Sequence, residues 1–250
     1  RHRRMRVRRI GQREAVHPRC QRVERVEVEM LGAAGGTRLQ PELDSLKAAD
    51  LYRAFVVDCA ETVLATVAAR KVIAYSPADA EDAVRGILGP LSKSFEFVAQ
   101  PEVSLGKRMA ALFAQSFARG YTRTVIMGSD SPSLMPEMVD GAFEILRKHE
   151  LVIGPCIDGG YYLIGLRKFV PELFRNIEWS SSKVLRQTAV AAEGLDFKLL
   201  PIWYDVDTFS DAVFLLDHLE VLQRTGSLQG RHSLLELRNI DLSKIPTKKL

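Results

Sequence analysis

The side chains best able to do chemistry are acidic and stand just behind apolar runs. Residues 124–128 (TVIMG) are followed by Ser129-Asp130-Ser131-Pro132. Gly128 permits a tight exit from a strand, which leaves Asp130 at the strand's carboxyl end. An unpaired carboxylate there costs desolvation energy unless it meets a cation or hydrogen-bond donors. The other use of such an Asp is to cap the turn that follows. Residues 198–203 (KLLPIW) are followed by Tyr204-Asp205-Val206-Asp207-Thr208. In extended chain, residues two apart point the same way, so Asp205 and Asp207 can converge on one point. Like charges in contact repel unless a cation joins them, and hard oxygen donors suit Mg2+ or Mn2+. The alternative for Asp207 is to complement the dipole of the next helix.

Glycine motifs lie among these acids. In Asp158-Gly159-Gly160-Tyr161, paired glycines allow close approach of a ligand to the backbone. Asp158 could then bind a hydroxyl or position an acceptor. The same residues read equally as a hairpin turn. Gly35-Gly36-Thr37-Arg38-Leu39 can hold phosphates through backbone N–H groups and the Arg38 guanidinium. Gly106-Lys107-Arg108 opens a helix and offers a second phosphate contact, or a solvated helix start. Trp179-Ser180-Ser181 precedes another helix, with Ser180 as its N-cap and Trp179 either stacked on a substrate ring or covering the core.

Positioning these residues requires a sheet. The segments 71–76, 95–100, 124–128, 151–154, 161–166 and 198–203 read as strands, several of them continuously apolar, as in strands covered on both faces. Helices are predicted over 46–69, 106–119, 136–149, 180–193 and 208–224. In the last, Thr208 and Asp211 form a start resembling a capping box. Strands alternating with helices imply an α/β domain, a three-layer sandwich around a mostly parallel sheet. In such sheets ligands bind beyond the carboxyl ends of the strands.

Composition adds bounds. The chain has 250 residues, 46% of them hydrophobic, enough for one large domain. Ten arginines against four glutamates give residues 1–30 a charge of +6, which leaves −2 for the rest of a chain of net charge +4. The basic segment could be an arm for nucleic acid or a membrane surface, but no aromatic residue interleaves its arginines as base stacking would favour. Nucleic acid is therefore not expected as a partner. Residues 1–22 are read as a basic leader, 23–225 as the single domain and 226–250 as a tail with a short helix. Cys20, Cys59 and Cys156 match no metal or redox spacing; Cys59 and Cys156 read as small core residues, and the thiols suit a cytoplasmic location. No apolar run reaches the length of a membrane span.

Taken in order, these motifs resemble a known family, the radical-SAM/selenodomain-associated transferases among the nucleotide-diphospho-sugar transferases. The resemblance rests on Gly36-Thr37-Arg38-Leu39, Leu105-Gly106-Lys107-Arg108-Met109, Gly128-Ser129-Asp130-Ser131-Pro132, Gly154-Pro155 through Asp158-Gly159-Gly160-Tyr161-Tyr162-Leu163-Ile164-Gly165, Trp179-Ser180 and Asp205-Val206-Asp207-Thr208. It implies a GT-A fold, a Rossmann-like sheet with nucleotide at its first half, and metal ligation at Asp130. A more distant similarity, to molybdenum-cofactor and phospholactate guanylyltransferases, implies that Asp205 and Asp207 share the metal. The resemblance also implies Asp158 and Asp130 as catalytic residues. It places Gly36, Thr37, Arg38, Arg108, Ser129, Gly159, Gly160, Trp179 and Ser180 around a nucleotide or nucleotide-sugar and a small-molecule acceptor.

The chain departs from the pattern at its first strand. The family has an apolar strand and a loop resembling Lys-x-Pro-x-Pro-Gly-x-Val-Lys-Thr-Arg-Leu. Here residues 23–36 alternate charges, the prolines and both lysines are absent, and Gly36 stands in place of the second lysine. Alternating charge does not suit a strand buried on both faces. Three functions stay open: transfer from a nucleotide-activated sugar, nucleotidyl transfer to a phosphorylated acceptor, and an inactive relative kept for binding.

Overall fold

The structure of the protein, a computed structural model, describes residues 24–30, 39, 43–227 and 229–240. Among these, seven strands form one sheet: β1 (Glu24–Met30), β2 (Arg70–Tyr75), β3 (Glu96–Ala99), β4 (Arg123–Gly128), β5 (Leu151–Pro155), β6 (Tyr161–Leu166) and β7 (Phe197–Leu199). Their order is β3-β2-β1-β4-β6-β5-β7. The pairs β2–β3, β1–β2, β1–β4 and β5–β7 are parallel, while β6 runs antiparallel to both β4 and β5. Because β6 returns between them, β4 and β5 run the same way. The carboxyl ends of β4, β5 and β7 therefore meet at one edge of the sheet, and the segments that follow them must be neighbours.

The strand at 24–30 corrects the expectation drawn from its charges. It lies in the middle of the sheet, Val26 paired with both Lys71 and Val125. A ladder is made by backbone N–H and C=O groups, which alternating side-chain charge does not remove. The strand expected over 198–203 is shorter than its apolar run. Pro201 lacks an amide proton, so the ladder stops, and Leu200 N–H and Trp203 N–H reach Ile153 O (2.9 Å) and Pro155 O (3.0 Å) singly.

The helices are α1 (Ser45–Ala65), α2 (Glu81–Leu88), α3 (Leu105–Ala118), α4 (Pro136–Ile145), α5 (Val184–Ala191), α6 (Phe209–Thr225) and α7 (Arg231–Arg238). One face of the sheet packs Val125 and Met127 against α1, α2 and α4 through Val56, Cys59, Val63, Val84, Val139 and Phe143. The other packs Ile126, Ile153 and Ile164 against α3 and the 171–174 turn through Met109, Phe113 and Phe174. The fold is thus the three-layer α/β sandwich of GT-A, Rossmann-like type. No helix among the described residues is long and apolar enough to cross a membrane.

Local chemistry sets the helix ends. Thr208 and Asp211 form the capping box of α6. The helix expected over 46–69 stops at Ala65 because both the amide and the hydroxyl of Thr66 turn back to Val63 O, which leaves Val67 66% exposed. The expectation of Ser180 as an N-cap fails. The helix starts at Val184 after Lys183, which makes no side-chain cap bond. Ser180 instead takes a left-handed φ of 61°, and Ser181 Oγ donates to Glu178 O at 2.6 Å, closing a turn.

The short helix expected after residue 225 is α7, and it is built into the fold. Leu234 and Leu237 are buried against α1 and α6, each contributing roughly 1.5–3 kcal/mol. Its N-cap is Gly230, which has no side chain to offer the helix amides. Asp58 of α1 supplies the cap across space, accepting from His232 N–H (3.0 Å), Ser233 N–H (2.7 Å) and Ser233 Oγ–H (2.5 Å). Asp58→Ala should cost about 2–4 kcal/mol, from several buried donors left without an acceptor. Urea unfolding measures the loss. Hydrogen exchange should place the loosening first in α7, and unchanged α7 protection in the variant would rule out this capping role.

Candidate active site

Asp130 leaves the sheet after β4, on a serine-rich loop. Ser129, Ser131 and Ser133 are buried. Ser129 Oγ lies 2.9 Å from Tyr52 Oη of α1, Ser131 Oγ donates to Tyr204 O at 3.0 Å, and Ser133 Oγ donates to Tyr204 Oη at 2.9 Å. Thr62 Oγ1 holds the far end of the loop at Leu134 O, 3.0 Å away. A Cβ at residue 128 would collide with Asp130 Oδ1, so the glycine makes room for the carboxylate to fold back over the strand end.

Asp205 and Asp207 sit on the segment after β7, stitched to both neighbours. Trp203 bridges Cys156 at the end of β5, and Val206 N–H donates to Asp130 O at 2.9 Å. The β5–β6 connection is the hairpin turn that its glycines allow, with Gly159 at φ +92° and Asp158 Oδ1 accepting from Gly160 N–H at 2.7 Å. The turn also carries Asp158 to the acids. One ligand atom each of Cys156, Asp158 and Asp205 lies within 4.8 Å of the others.

Electrostatics report the same convergence. The Asp205 carboxyl is pushed up to about 7, first by burial and then by Asp130, Asp158 and Asp207 around it. Burial and the same four aspartates push the Cys156 thiol far above its ordinary value. Cys156 belongs to the core, as its apolar run suggests, yet its sulfur also borders the acids; its immediate approach to Asp-Gly-Gly was the signal available in the sequence. Tyr204, Ser133 and His218, which brace the acidic loops, carry no signature of their own beyond serine alternation and a tyrosine beside Asp205.

Trp179 and the glycines make the other wall. The indole lies over Gly106 at the start of α3, where any Cβ would collide with it, and Ser182 O takes the space beside Gly159 that a Cβ would need. Trp179 meets Tyr161 edge-on at 6.3 Å and 87°. Trp179 is half-buried, Ser180 exposed, and Arg108 half-buried in the first turn of α3. The structure therefore gathers Asp130, Asp158, Asp205 and Asp207 at one strand edge, with Gly159 and Gly160 between Asp158 and the Trp179–Gly106 contact. Gly36, Thr37 and Arg38 lie outside the described residues.

The fold is that of the nucleotide-diphospho-sugar transferase class. A crystal structure from Desulfovibrio desulfuricans G20, provisionally named a nucleotide-diphospho-sugar transferase, is 32% identical, covers 86% of this chain and 94% of its own, and superposes with a TM-score of 0.76. The chain belongs to the family described as "Uncharacterized protein conserved in bacteria (DUF2064)", which matches residues 59–181. The fold is shared more distantly by a CMP:2-keto-3-deoxy-manno-octonic acid synthetase complexed with CTP, 12% identical over 82% of this chain and 99% of that one, with a TM-score of 0.52. It is shared also by 4-diphosphocytidyl-2C-methyl-D-erythritol synthase from Anaerococcus prevotii, 13% identical over 78% and 96%, TM-score 0.53. No curated protein matches the chain.

The position of Asp205 has a consequence for stability. Its folded value of about 7 lies above the 3.8 of an ordinary Asp. Between those pH values the unfolded chain releases a proton that the folded chain keeps, so this group's contribution to stability falls as pH rises through the window and is flat above it. EDTA-treated protein should thus melt at lower temperatures from about pH 4.5 to 7.5, and Asp205→Asn should flatten that trend. An identical slope in the variant would show that neither burial nor the neighbouring carboxylates raise Asp205 in the folded chain.

Proposed function

We propose that the protein is a metal-dependent transferase acting on a nucleotide-activated sugar. The observation that carries this reading is the crowding of four aspartates around a partly buried point, where burial first and then Asp130, Asp158 and Asp207 raise Asp205 to about 7. Hard oxygen donors in that number fit Mg2+ or Mn2+, and the repulsion among them is what a divalent cation would relieve. Asp130, Asp205 and Asp207 would hold it. Asp158, within reach of Asp205, would complete the set or act on the acceptor. Bound there, the cation would offset charge developing on a diphosphate leaving group.

The chain's own residues supply the rest. Arg38 and Arg108 would grip the phosphates by charge-assisted hydrogen bonds. Gly159 and Gly160 would let a sugar or acceptor approach the backbone, Asp158 would orient an acceptor hydroxyl and take its proton, and the Trp179 ring would bound the sugar side. Ser129 and Ser180 would offer hydroxyls to the substrate. Two features support the reading, the 32% identical relative from Desulfovibrio desulfuricans and the placement of all four aspartates beyond carboxyl ends of strands, where such sheets bind ligands.

Nucleotidyl transfer is the second reading, favoured by the meeting of an early Asp130 with a late Asp205-x-Asp207 pair. A panel of nucleotide sugars with Mn2+, and separately of nucleoside triphosphates with pyrophosphate detection, separates the two. Under either, Asp130→Asn and Asp205→Asn should weaken Mn2+ binding by more than the ~100-fold typical of losing an outer partner of a metal site. For Asp130→Asn the melting temperature should change by less than about 4 °C, near 1 kcal/mol for a chain of this size. Calorimetric titration of the wild type showing no Mn2+ binding and no Mn2+-dependent nucleotide binding would refute both.

A further inference from the structure

Two loops far apart in sequence carry the acids, and the contacts that fix one loop against the other lie beneath the carboxylates. Trp203 Nε1–H donates to Ser133 Oγ at 3.3 Å, Ser133 Oγ–H donates to Tyr204 Oη at 2.9 Å, and Tyr204 Oη lies 2.6 Å from His218 Nδ1 on α6. An indole N–H only donates, and each hydroxyl has one proton. With the Ser133 proton spent on Tyr204, the tyrosine proton is the one left for His218, which accepts it in the tautomer that leaves Nδ1 bare. Burial disfavours a second proton on His218, in keeping with that role. The chain of bonds has a direction, and its last member is an acceptor.

Packing leaves it little freedom. Ser133 is fully buried and Tyr204 nearly so. Trp203 stacks on Tyr204 at 5.8 Å and 20°, Phe214 meets Tyr204 edge-on at 5.0 Å and 80°, and Phe214 lies along His218 at 6.0 Å and 24°. Tyr204 is covalently next to Asp205, and Ser133 is three residues beyond Asp130. A shift of either end would therefore move one set of acids against the other.

We propose that Trp203, Ser133, Tyr204 and His218 form a positioning relay that sets the register of the Asp205–Asp207 loop against the Asp130 loop. The consequence for cation affinity rests on the metal-dependent reading given above; the register itself does not. A purely space-filling role for these side chains makes a different demand. It would require only volume at residue 218, whereas the relay requires a hydrogen-bond acceptor where Nδ1 now stands. Asn offers its amide oxygen there, and Leu offers similar bulk with none.

The test uses the full chain with Ser133→Ala, Tyr204→Phe, His218→Leu and His218→Asn, and two readouts. One is Mn2+ affinity by calorimetry. The other is hydrogen exchange of the Val206 amide, which bonds to Asp130 O across the two loops. Ser133→Ala, Tyr204→Phe and His218→Leu should weaken Mn2+ binding about 10- to 100-fold, as loss of outer partners of a metal site does. They should also speed Val206 exchange while leaving β4 and α1 amides unchanged. His218→Asn should restore both. Val206 exchange equal to wild type in Tyr204→Phe and His218→Leu overturns the relay, and so does His218→Asn behaving as His218→Leu. If the wild type binds no Mn2+, Val206 exchange decides the relay alone, and only the cation reading falls.

Discussion

Four aspartates crowd one edge of the sheet, and each must keep its place against the repulsion of the others. Two unit charges about 5 Å apart repel by roughly 3 kcal/mol at an effective dielectric near 20. Left to itself such a group relaxes by swinging apart or by taking up a proton. Here burial and then the neighbouring carboxylates hold the Asp205 carboxyl near 7, well above the ordinary carboxylate range.

The scaffold resists the repulsion by tying down the loops rather than the carboxylates. The serines of 129–133 face inward on alternate residues and are bonded to Tyr52 and Tyr204. Val206 N–H on Asp130 O and the Trp203–Cys156 bridge join the three strand ends into one platform. The hydrogen bonds lie in the buried layer, where each is protected from water, and the charges lie above it.

Much of the fold was legible in the residues. The continuous apolar run before Gly-Ser-Asp marks a strand end, the run before Tyr-Asp-x-Asp outlasts its strand, and Thr208 with Asp211 marks a helix start that forms as read. The errors share a cause. Ser180 has the side chain of an N-cap but lies in a left-handed turn, because Glu178 O claims the Ser181 hydroxyl nearby. The alternating charges of 24–30 argue against a central strand, yet β2 and β4 pair with it through backbone groups to which charge pattern is indifferent. In both places a partner elsewhere outweighs a local preference.

The sequence by itself determined where chain segments begin, end and turn, since periodicity, caps and glycines act over a few residues. It also determined which acids stand at strand ends. Only the tertiary structure decided that β6 returns between β4 and β5, so that Asp130, Asp158 and Asp205 become neighbours. A carboxyl's proton affinity depends on the burial and field at one point in space, and that field comes from groups tens of residues away along the chain. No local pattern encodes it.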